Sequence, residues 1–369
     1  MKRLLKWIFR IFLILLIAAF LLLLVAYLRS TNDCGKTATP THPMKAIVYC
    51  EYGLANLRLD DVEKPVPNDD QILVKVRAAS VNPLDWHYIE GTPYIMRAGV
   101  GLRKPKDTRL GVDFAGTVEA VGKNVKDYKP GDDVFGGRNG AFAEYVCVRA
   151  DRAVALKPAN VSFEEAGSIN IAGLTALQAL RDKGKVQAGQ KVLINGASGG
   201  VGTFAVQIAK SLGADVTGVC STRNLELVRS LGANQVIDYT KEDFTKSKQL
   251  YDVIVDNVGT GHSLSEYRHV LQPKGIYVLV GGGGTNDQGL VGPLIRPLKT
   301  MIMSPFIDQT MGMMMADSNH KDLAELADMM QTGKLKPVID RHYKLSDLPE
   351  AIRYLEEGHA RGKVVITVE

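Results

Sequence analysis

The spacing of hydrophobic positions changes twice along the chain, and each change predicts a different kind of structure. Residues 11–28 form an apolar run whose only member with a polar group is Tyr27. Residues 71–78 (QILVKVRA) alternate apolar and polar side chains, which is typical of a half-buried β-strand. From Glu164 onward, short apolar strands alternate with segments of helical period, as in a parallel doubly wound sheet. The pattern therefore predicts an apolar N-terminal helix, then a β-rich unit and an α/β unit.

The N-terminal run is long enough to be a membrane anchor. At ~1.5 Å per residue it spans roughly 27 Å, close to the ~30 Å hydrocarbon core of a bilayer. It exceeds the ~7–15 apolar residues of a signal peptide, and no small-x-small cleavage site follows at residues 26–30. We therefore expect an uncleaved single-pass anchor at residues 1–30 and a short polar tether at residues 31–43.

The net charge of the protein comes from this N-terminal segment. The chain has 45 Lys+Arg and 40 Asp+Glu, a formal charge of +5, and residues 1–30 hold five basic and no acidic side chains. A body of zero net charge argues against nucleic-acid binding. Four of the five basic residues precede the apolar run, so the positive-inside rule places the body on the non-cytoplasmic side.

The cysteines give no recognisable pattern. Cys34, Cys50, Cys147 and Cys220 lie far apart, with no Cys-x-x-Cys pair. This spacing predicts neither a disulfide framework nor a zinc knuckle.

A glycine-rich turn stands between a strand and a helix in the middle of the chain. The strand is KVLIN at residues 191–195, the turn reads GASGGVG, and an apolar-periodic helix follows at residues 203–212. Glycines let the backbone turn sharply and approach a pyrophosphate, whose negative charge then faces the helix N-terminus. This context predicts a dinucleotide-binding site. The predicted cofactor contacts are Gly196, Ala197, Ser198, Gly199, Gly200, Val201 and Gly202.

Longer segments around this turn carry a family resemblance. They are GQKVLINGASGGVGTFAVQIAK (189–210), VNPLDW (81–86), GVDFAGTVEAVG (111–122), GDDVFG (131–136), GAFAEYV (140–146), AGLTALQAL (172–180), LGANQVIDY (231–239) and RGKVVITV (361–368). From residue 44 onward the chain resembles the zinc-free medium-chain dehydrogenase/reductases, the quinone oxidoreductases and zeta-crystallins. The resemblance implies an α/β protein with a GroES-like, β-barrel-type catalytic domain at residues 44–163. A Rossmann domain would occupy residues 164–318, and residues 319–369 would add a helix and return to the catalytic domain.

The resemblance also assigns residues around the reacting end of the cofactor. Zinc-dependent relatives have Cys where Asn82 stands, His-Glu where Val112 and Asp113 stand, and a four-Cys lobe that has no counterpart here. We therefore expect no metal. By resemblance, the residues that border the nicotinamide or the rest of the cofactor are Asn82, Thr175, Asn257, Gly281 and Lys363.

The residues after the second Rossmann strand favour NADPH. An acid at this position holds the ribose hydroxyls of NAD and repels a 2′-phosphate. The chain instead reads Ser221, Thr222, Arg223, with no acid until Glu226, and these side chains suit a phosphate dianion. Tyr239 resembles the tyrosine that the family places near the adenosine phosphate. We predict NADPH as the cofactor.

Without zinc to polarise an alcohol, the predicted reaction is hydride transfer to a quinone or an α,β-unsaturated carbonyl compound. Asn82 would lie beside the reacting atoms. Tyr94 approximates the proton-donating tyrosine of related enoyl reductases, with Tyr88 or water as alternatives. Asp85 is expected to cap a turn. Two other functions remain open: an enoyl-thioester reductase, and a membrane-tethered NADPH-binding sensor or adaptor without significant turnover.

The segment at residues 289–315 departs most from a compact Rossmann pattern. Residues 311–315 (MGMMM) are expected to pack in the core or as an edge strand, which leaves a homodimer open. Residues 291–306 would form an apolar lid that admits a lipophilic substrate or touches the bilayer. The sequence also contains a conflict, because the charge pattern places the body outside the cytosol whereas nicotinamide cofactors are chiefly cytosolic.

Overall fold

The computed structural model describes residues 2–32, 34, 39–281, 296, 298–300, 302, 304 and 307–368. Helix α1 (Lys2–Leu28) opens the chain. Among these residues, no helix combines the length and the apolarity needed to cross a membrane, so the predicted span is not supported. Most of the predicted lid at 291–306 lies outside the described residues.

The polar segment after α1 is fastened to the body by a disulfide bond. Cys34 and Cys50 are bonded, with their Cα atoms 5.7 Å apart. Close by, the Asn32 side chain donates a hydrogen bond to the Cys50 carbonyl at 2.8 Å, and Arg103 N–H donates to Ser30 Oγ at 3.2 Å. The prediction of no disulfide was therefore wrong. Spacing rules detect short local motifs, whereas this pair forms because the tether folds back against the end of the first strand.

The catalytic domain is built on antiparallel strands. Its strands are β1 (Pro43–Tyr49), β2 (Leu57–Glu63), β3 (Gln71–Val81), β4 (Asp113–Val121), β5 (Asp133–Gly137), β6 (Tyr145–Arg149) and β7 (Val154–Leu156). Helices α2 (Pro83–Glu90) and α3 (Arg97–Val100) lie between β3 and β4. β3 is central because it pairs with both β4 and β6, and its second half is buried throughout. The end of β3 and the start of β4 therefore point polar side chains into a dry interior.

The second domain is a six-stranded parallel sheet. Its strands are β8 (Lys191–Asn195), β9 (Asp215–Cys220), β10 (Gln235–Asp238), β11 (Tyr251–Asp256), β12 (Leu271–Leu279) and β13 (Thr310–Met313), in the order β10-β9-β8-β11-β12-β13. Its helices are α4 (Phe163–Ala166), α5 (Asn170–Gln178), α6 (Gly200–Ser211), α7 (Leu225–Ser230) and α8 (Leu264–His269). The order of strands in the sheet changes sides at β8: β9 and β10 lie on one side of it, and β11, β12 and β13 lie on the other. In such sheets a ligand binds at the carboxyl ends of the strands flanking this point.

The C-terminal segment joins the two domains. It contains α9 (His320–Gln331), β14 (Ile339–Lys344), α10 (Leu348–Glu356) and β15 (Lys363–Thr367). β15 pairs with β3 in the catalytic domain, and Gly362 N–H, one residue before it, donates to the Ser198 carbonyl at 2.9 Å. The start of β15 therefore lies against the glycine-rich turn. Earlier in the chain, β13 forms the sheet edge with Met311 buried, which agrees with the expected edge strand.

Candidate active site

The glycine-rich turn forms a tight loop between β8 and α6. Gly196 adopts φ +75°, a left-handed conformation that suits glycine. A Cβ on Gly202 would lie 2.0 Å from the Gly196 carbonyl oxygen, so the two ends of the turn touch. Because α6 begins at Gly200, the first backbone N–H groups of the helix face the space over the turn. This arrangement suits a pyrophosphate, and the predicted contacts of the turn with a cofactor stay a prediction.

The ends of β8, β11 and β12 form the next part of the cleft. Asn257 follows β11 and donates its side-chain N–H to the Asn195 carbonyl at 2.9 Å, while Gly281 N–H bonds the Asp256 carbonyl at 3.2 Å. Among the described residues, Asn257 Oδ1 is buried and has no hydrogen-bond partner. An unpaired buried acceptor is costly, so its presence at this edge fits a ligand with an N–H group, such as a carboxamide.

A network of buried polar side chains lies beneath the ends of these strands. The sequence analysis did not predict it. Asp256 is completely buried and accepts from the Tyr277 hydroxyl at 2.7 Å and from Asn195 Nδ2 at 2.9 Å. The Arg296 guanidinium lies 3.3 Å from the same carboxylate. Arg296 is the one described residue within 291–297, and this contact links it to the Rossmann sheet. Polar residues at strand ends were the available signal in the sequence.

The loop after β9 contains the residues predicted to contact the adenosine. Thr222 donates its hydroxyl to Asp238 at 2.5 Å, and hydroxyl donors hold the pKa of that carboxyl at about 2. The sequence showed no acid before Glu226, but the parallel pairing of β9 with β10 places Asp238 beside Thr222. Arg223 donates to the His359 carbonyl at 2.7 Å, and Tyr239 is exposed. The loop therefore holds one acid as well as the predicted hydroxyls and guanidinium.

Asn224 is a further residue in this loop that the sequence reasoning did not select. It is 4% exposed, and its side-chain N–H groups reach Ser198 Oγ at 3.0 Å and Ser221 Oγ at 3.1 Å. Its Oδ1 is buried and finds no partner in the described parts of the chain. Asn224 thus joins the glycine-rich turn to the adenosine loop.

Asp113 is the centre of a buried cluster in the catalytic domain. Its Oδ2 accepts from Ser80 Oγ at 2.8 Å and from Asn82 Nδ2 at 2.9 Å. Its Oδ1 accepts from Asn170 Nδ2 and from Ile171 N–H, both at 3.0 Å. Four donors from β3, the start of α2 and α5 therefore converge on one carboxylate.

Lys363 brings a positive charge to this cluster. Its ammonium donates to Asn82 Oδ1 at 2.6 Å and lies 3.5 Å from Asp113 Oδ2, and the residue is 3% exposed. Burial lowers the pKa of Lys363, while the neighbouring carboxyl groups of Asp113 and Asp85 oppose this shift. Asn82 is thus held from two sides, by an ammonium on its oxygen and a carboxylate on its nitrogen.

Asp85 is the second buried carboxyl group of the cluster. Its Oδ2 accepts from Asn82 N–H at 2.8 Å, which caps α2 as the sequence predicted. Its Oδ1 is buried and has no partner within the part of the chain that the structure describes. Burial raises its pKa to about 7, with a smaller opposing effect of the Asn82 N–H bond.

The predicted site residues not yet described differ in how far they are exposed to solvent. Thr175 is buried on α5, the helix whose first residue bonds Asp113. Tyr94 is 49% exposed, and its ring stacks on the Arg97 guanidinium, 4.8 Å from the ring centroid. Tyr88 lies on α2 near Asp85, and burial raises its pKa. The proton-donor role of Tyr94 stays a prediction, which unchanged turnover in Tyr94→Phe would contradict.

Comparisons with known proteins agree with this architecture. Residues 68–159 match the family described as alcohol dehydrogenase GroES-like domain, and residues 231–366 match zinc-binding dehydrogenase. A trans-enoyl reductase of Aspergillus terreus is 36% identical, over 85% of this chain and 92% of that protein. The chloroplastic NADPH-dependent alkenal/one oxidoreductase of Arabidopsis thaliana is 34% identical, over 88% and 79%. The solved quinone oxidoreductase of Coxiella burnetii is 31% identical with a TM-score of 0.77, over 89% and 100%.

A GroES-like domain joined to a Rossmann sheet, with a glycine-rich turn facing a buried polar cluster, defines an oxidoreductase of the medium-chain class. This chain belongs to the medium-chain dehydrogenase/reductase family, with quinone oxidoreductases and enoyl reductases among its neighbours.

Proposed function

We propose that this protein reduces α,β-unsaturated carbonyl compounds or quinones by hydride transfer from NADPH. The observation that carries the proposal is the contact between Gly362 and Ser198, which sets the cofactor turn directly against the buried Asn82 cluster. The prediction of NADPH as cofactor is confirmed by the relatives, one of which is named as NADPH-dependent. Oxidation of NADPH by a panel of enones, quinones and acyl thioesters tests the proposal. Turnover only with acyl thioesters would favour an enoyl-thioester reductase, and binding without turnover would favour a sensor.

Different residues of the chain would bind the cofactor and stabilise the developing charge. When bound, NADPH supplies a hydride from C4 of its nicotinamide. The glycine-rich turn would hold the pyrophosphate, and the unpaired Asn257 Oδ1 would accept a hydrogen bond from the carboxamide. The Lys363 ammonium would favour negative charge that develops on a substrate oxygen in the same cleft. Proximity and orientation are the main requirements of the hydride transfer, and Tyr94 or water would supply the proton that completes the reduction.

The proposed reaction uses no catalytic zinc, although one matching family is named for zinc binding. The support comes from the side chains at the positions where relatives hold the metal. Asn82 and Asp113 are already bonded to each other, and the Lys363 ammonium lies between them. A Zn²⁺ ion there would meet a like charge and would lack thiolate and imidazole ligands. Stoichiometric zinc in the purified protein would contradict this part of the proposal.

A preference for NADPH over NADH is proposed on the basis of Arg223 and of Lys241, which pairs with Asp238. Lys241 lies 3.4 Å from Asp238 and offsets its charge, which leaves the Arg223 guanidinium to meet a 2′-phosphate. We expect Arg223→Ala to raise the KM for NADPH about tenfold, in line with the loss of one charge-assisted contact. The KM for NADH should stay within about twofold because NADH lacks the phosphate. Steady-state kinetics with both cofactors tests this, and an equal rise for both would contradict it.

We also propose attachment to a membrane through residues 11–28, with the body on the non-cytoplasmic side. The support is the apolar run, the exposed apolar side chains of α1 such as Phe12, Ile14 and Leu15, and the basic residues before them. The Cys34–Cys50 bond is of a kind that persists in oxidising compartments. NADPH would then have to be present on that side. In sealed microsomes the body should resist added protease until detergent is present, and cleavage without detergent would contradict the orientation.

A further inference from the structure

Three ionisable side chains lie together in the buried interior beside the glycine-rich turn. Asp85 and Asp113 are completely buried and Lys363 is 3% exposed. They come from α2, β4 and β15, so the cluster forms only when the C-terminal strand has joined the catalytic sheet. Charges in such a dry position must be balanced, because an uncompensated one costs several kcal/mol.

The hydrogen bonds show how this balance is reached. Asp113 accepts from four donors and lies beside the Lys363 ammonium, so these two residues carry opposite charges that cancel. Asp85 accepts a hydrogen bond at Oδ2, while its Oδ1 is unpaired among the residues that the structure describes. With Asp85 protonated the cluster is neutral, and when Asp85 loses its proton the cluster carries one net negative charge. Burial places this change near neutral pH by raising the pKa of Asp85 to about 7.

The cluster is in direct contact with the cofactor turn. A Cβ on Gly200 would lie 3.4 Å from Lys363 Cδ, so the stem of this lysine covers the start of α6. From there its ammonium reaches Asn82, whose backbone N–H bonds Asp85. A cofactor that lies on the turn therefore has the cluster as its neighbour.

We propose that Asp85 couples its proton to the redox state of the bound cofactor, so that the protonated cluster favours NADPH and the ionised cluster favours NADP⁺. The proposal rests on the NADPH site of the proposed function. The nicotinamide ring is neutral in NADPH and carries a positive charge in NADP⁺. An ionised Asp85 attracts that charge, and by reciprocity NADP⁺ favours loss of the Asp85 proton. Asp85 is thus a residue that determines which redox form of the cofactor the site retains.

Besides Asp113 and Lys363, other ionisable groups lie around Asp85 on α2 and β1. Burial lowers the pKa of His87 on α2, so this ring is neutral above its ordinary value. Burial raises the pKa of Tyr88 on α2 and of Tyr49 on β1, so both stay neutral. The 2′-phosphate of the cofactor titrates near pH ~6, but it is common to both redox forms. The ratio of the two dissociation constants therefore cancels the titration of the phosphate, and comparison with Asp85→Asn attributes the remaining pH dependence to Asp85.

The test is to measure Kd for NADPH and for NADP⁺ on the full chain between pH 6 and 8.5 by calorimetry. In the unmodified protein, Kd(NADP⁺)/Kd(NADPH) should fall on the order of tenfold as the pH rises, which corresponds to one pKa unit of coupling. In Asp85→Asn the ratio should be independent of pH. The Asn side-chain oxygen still accepts from Asn82 N–H, so the cap of α2 is retained.

A flat ratio in the unmodified protein, or the same fall in Asp85→Asn, would overturn the proposal. If Asp85→Asn does not fold, Lys363→Gln provides a second readout. The Lys363 ammonium stabilises ionised Asp85, so its loss should move the midpoint of the fall to higher pH, and an unchanged midpoint would overturn the coupling. Because the assay contains no alkene or quinone, failure to reduce such substrates leaves this result intact, whereas absence of NADPH binding would overturn both proposals.

Discussion

Gly202→Ala is expected to abolish measurable NADPH binding and to lower the free energy of unfolding by roughly 2–4 kcal/mol, the scale of severe overpacking at a buried site. The new Cβ would lie 2.0 Å from the Gly196 carbonyl oxygen and 2.8 Å from Ala197 backbone atoms. Backbone on both sides of the turn would have to move, and this backbone is what faces the pyrophosphate. Urea unfolding and fluorescence titration with NADPH measure the two effects.

Gly200→Ala is the matched control in the same turn. Its Cβ would meet Lys363 Cδ at 3.4 Å and the Gly362 carbonyl oxygen at 3.5 Å, which are ordinary contacts. As the first residue of α6, Gly200 can gain up to about 1 kcal/mol in helix propensity on replacement by Ala. We expect a stability equal to or above that of the unmodified protein. Equal stability and equal NADPH affinity for Gly202→Ala and Gly200→Ala would show that the turn does not bind the cofactor as described.

Asp113→Ala is expected to destabilise the protein by about 3–5 kcal/mol, the cost of leaving a buried partner charge uncompensated. The substitution leaves the Lys363 ammonium without its fully buried counter-charge and removes the acceptor for Ser80 and Asn170. NADPH oxidation should fall with it, because the Asn82 side chain loses one of its three hydrogen-bond partners. Urea unfolding of the full chain measures the change in free energy.

Two further variants distinguish the effect of the uncompensated buried charge from a general loss of stability. Lys363→Met in the Asp113→Ala background should recover part of the lost stability, because the uncompensated ammonium is gone. Asp151→Ala removes an exposed carboxylate that pairs with Arg149 at 2.8 Å, and it should leave stability unchanged. Further loss of stability in the double variant would contradict the charge balance described for the cluster.

The sequence predicted the parts of the molecule that depend on local pattern. The glycine-rich turn is defined by consecutive residues between a strand and a helix, and the structure places Gly196 and Gly202 in contact. The capping role of Asp85 also follows from a three-residue spacing, and its bond to Asn82 is present.

Contacts between distant parts of the chain could not be predicted in the same way. Lys363 meets Asp113 across 250 residues, because β15 returns to the catalytic sheet beside β3. Asp238 meets Thr222 through the pairing of β10 with β9. The Cys34–Cys50 bond likewise depends on how the tether folds back. Patterns in a single sequence carry no information on such pairings. The proposed coupling of the Asp85 proton to the cofactor therefore rests on the structure, where Asp85 Oδ1 is buried and unpaired among the described residues.

The central claim is that this cleft transfers hydride from NADPH to an electron-poor alkene or quinone. The most direct test is to incubate the full chain with NADPH deuterated at both C4 positions and an enone, and to analyse the product by mass spectrometry and NMR. We predict a saturated ketone that carries one deuterium at the carbon β to the carbonyl, formed in proportion to the NADPH consumed. A product without deuterium, or NADPH bound without any reduction across enones and quinones, would contradict the account.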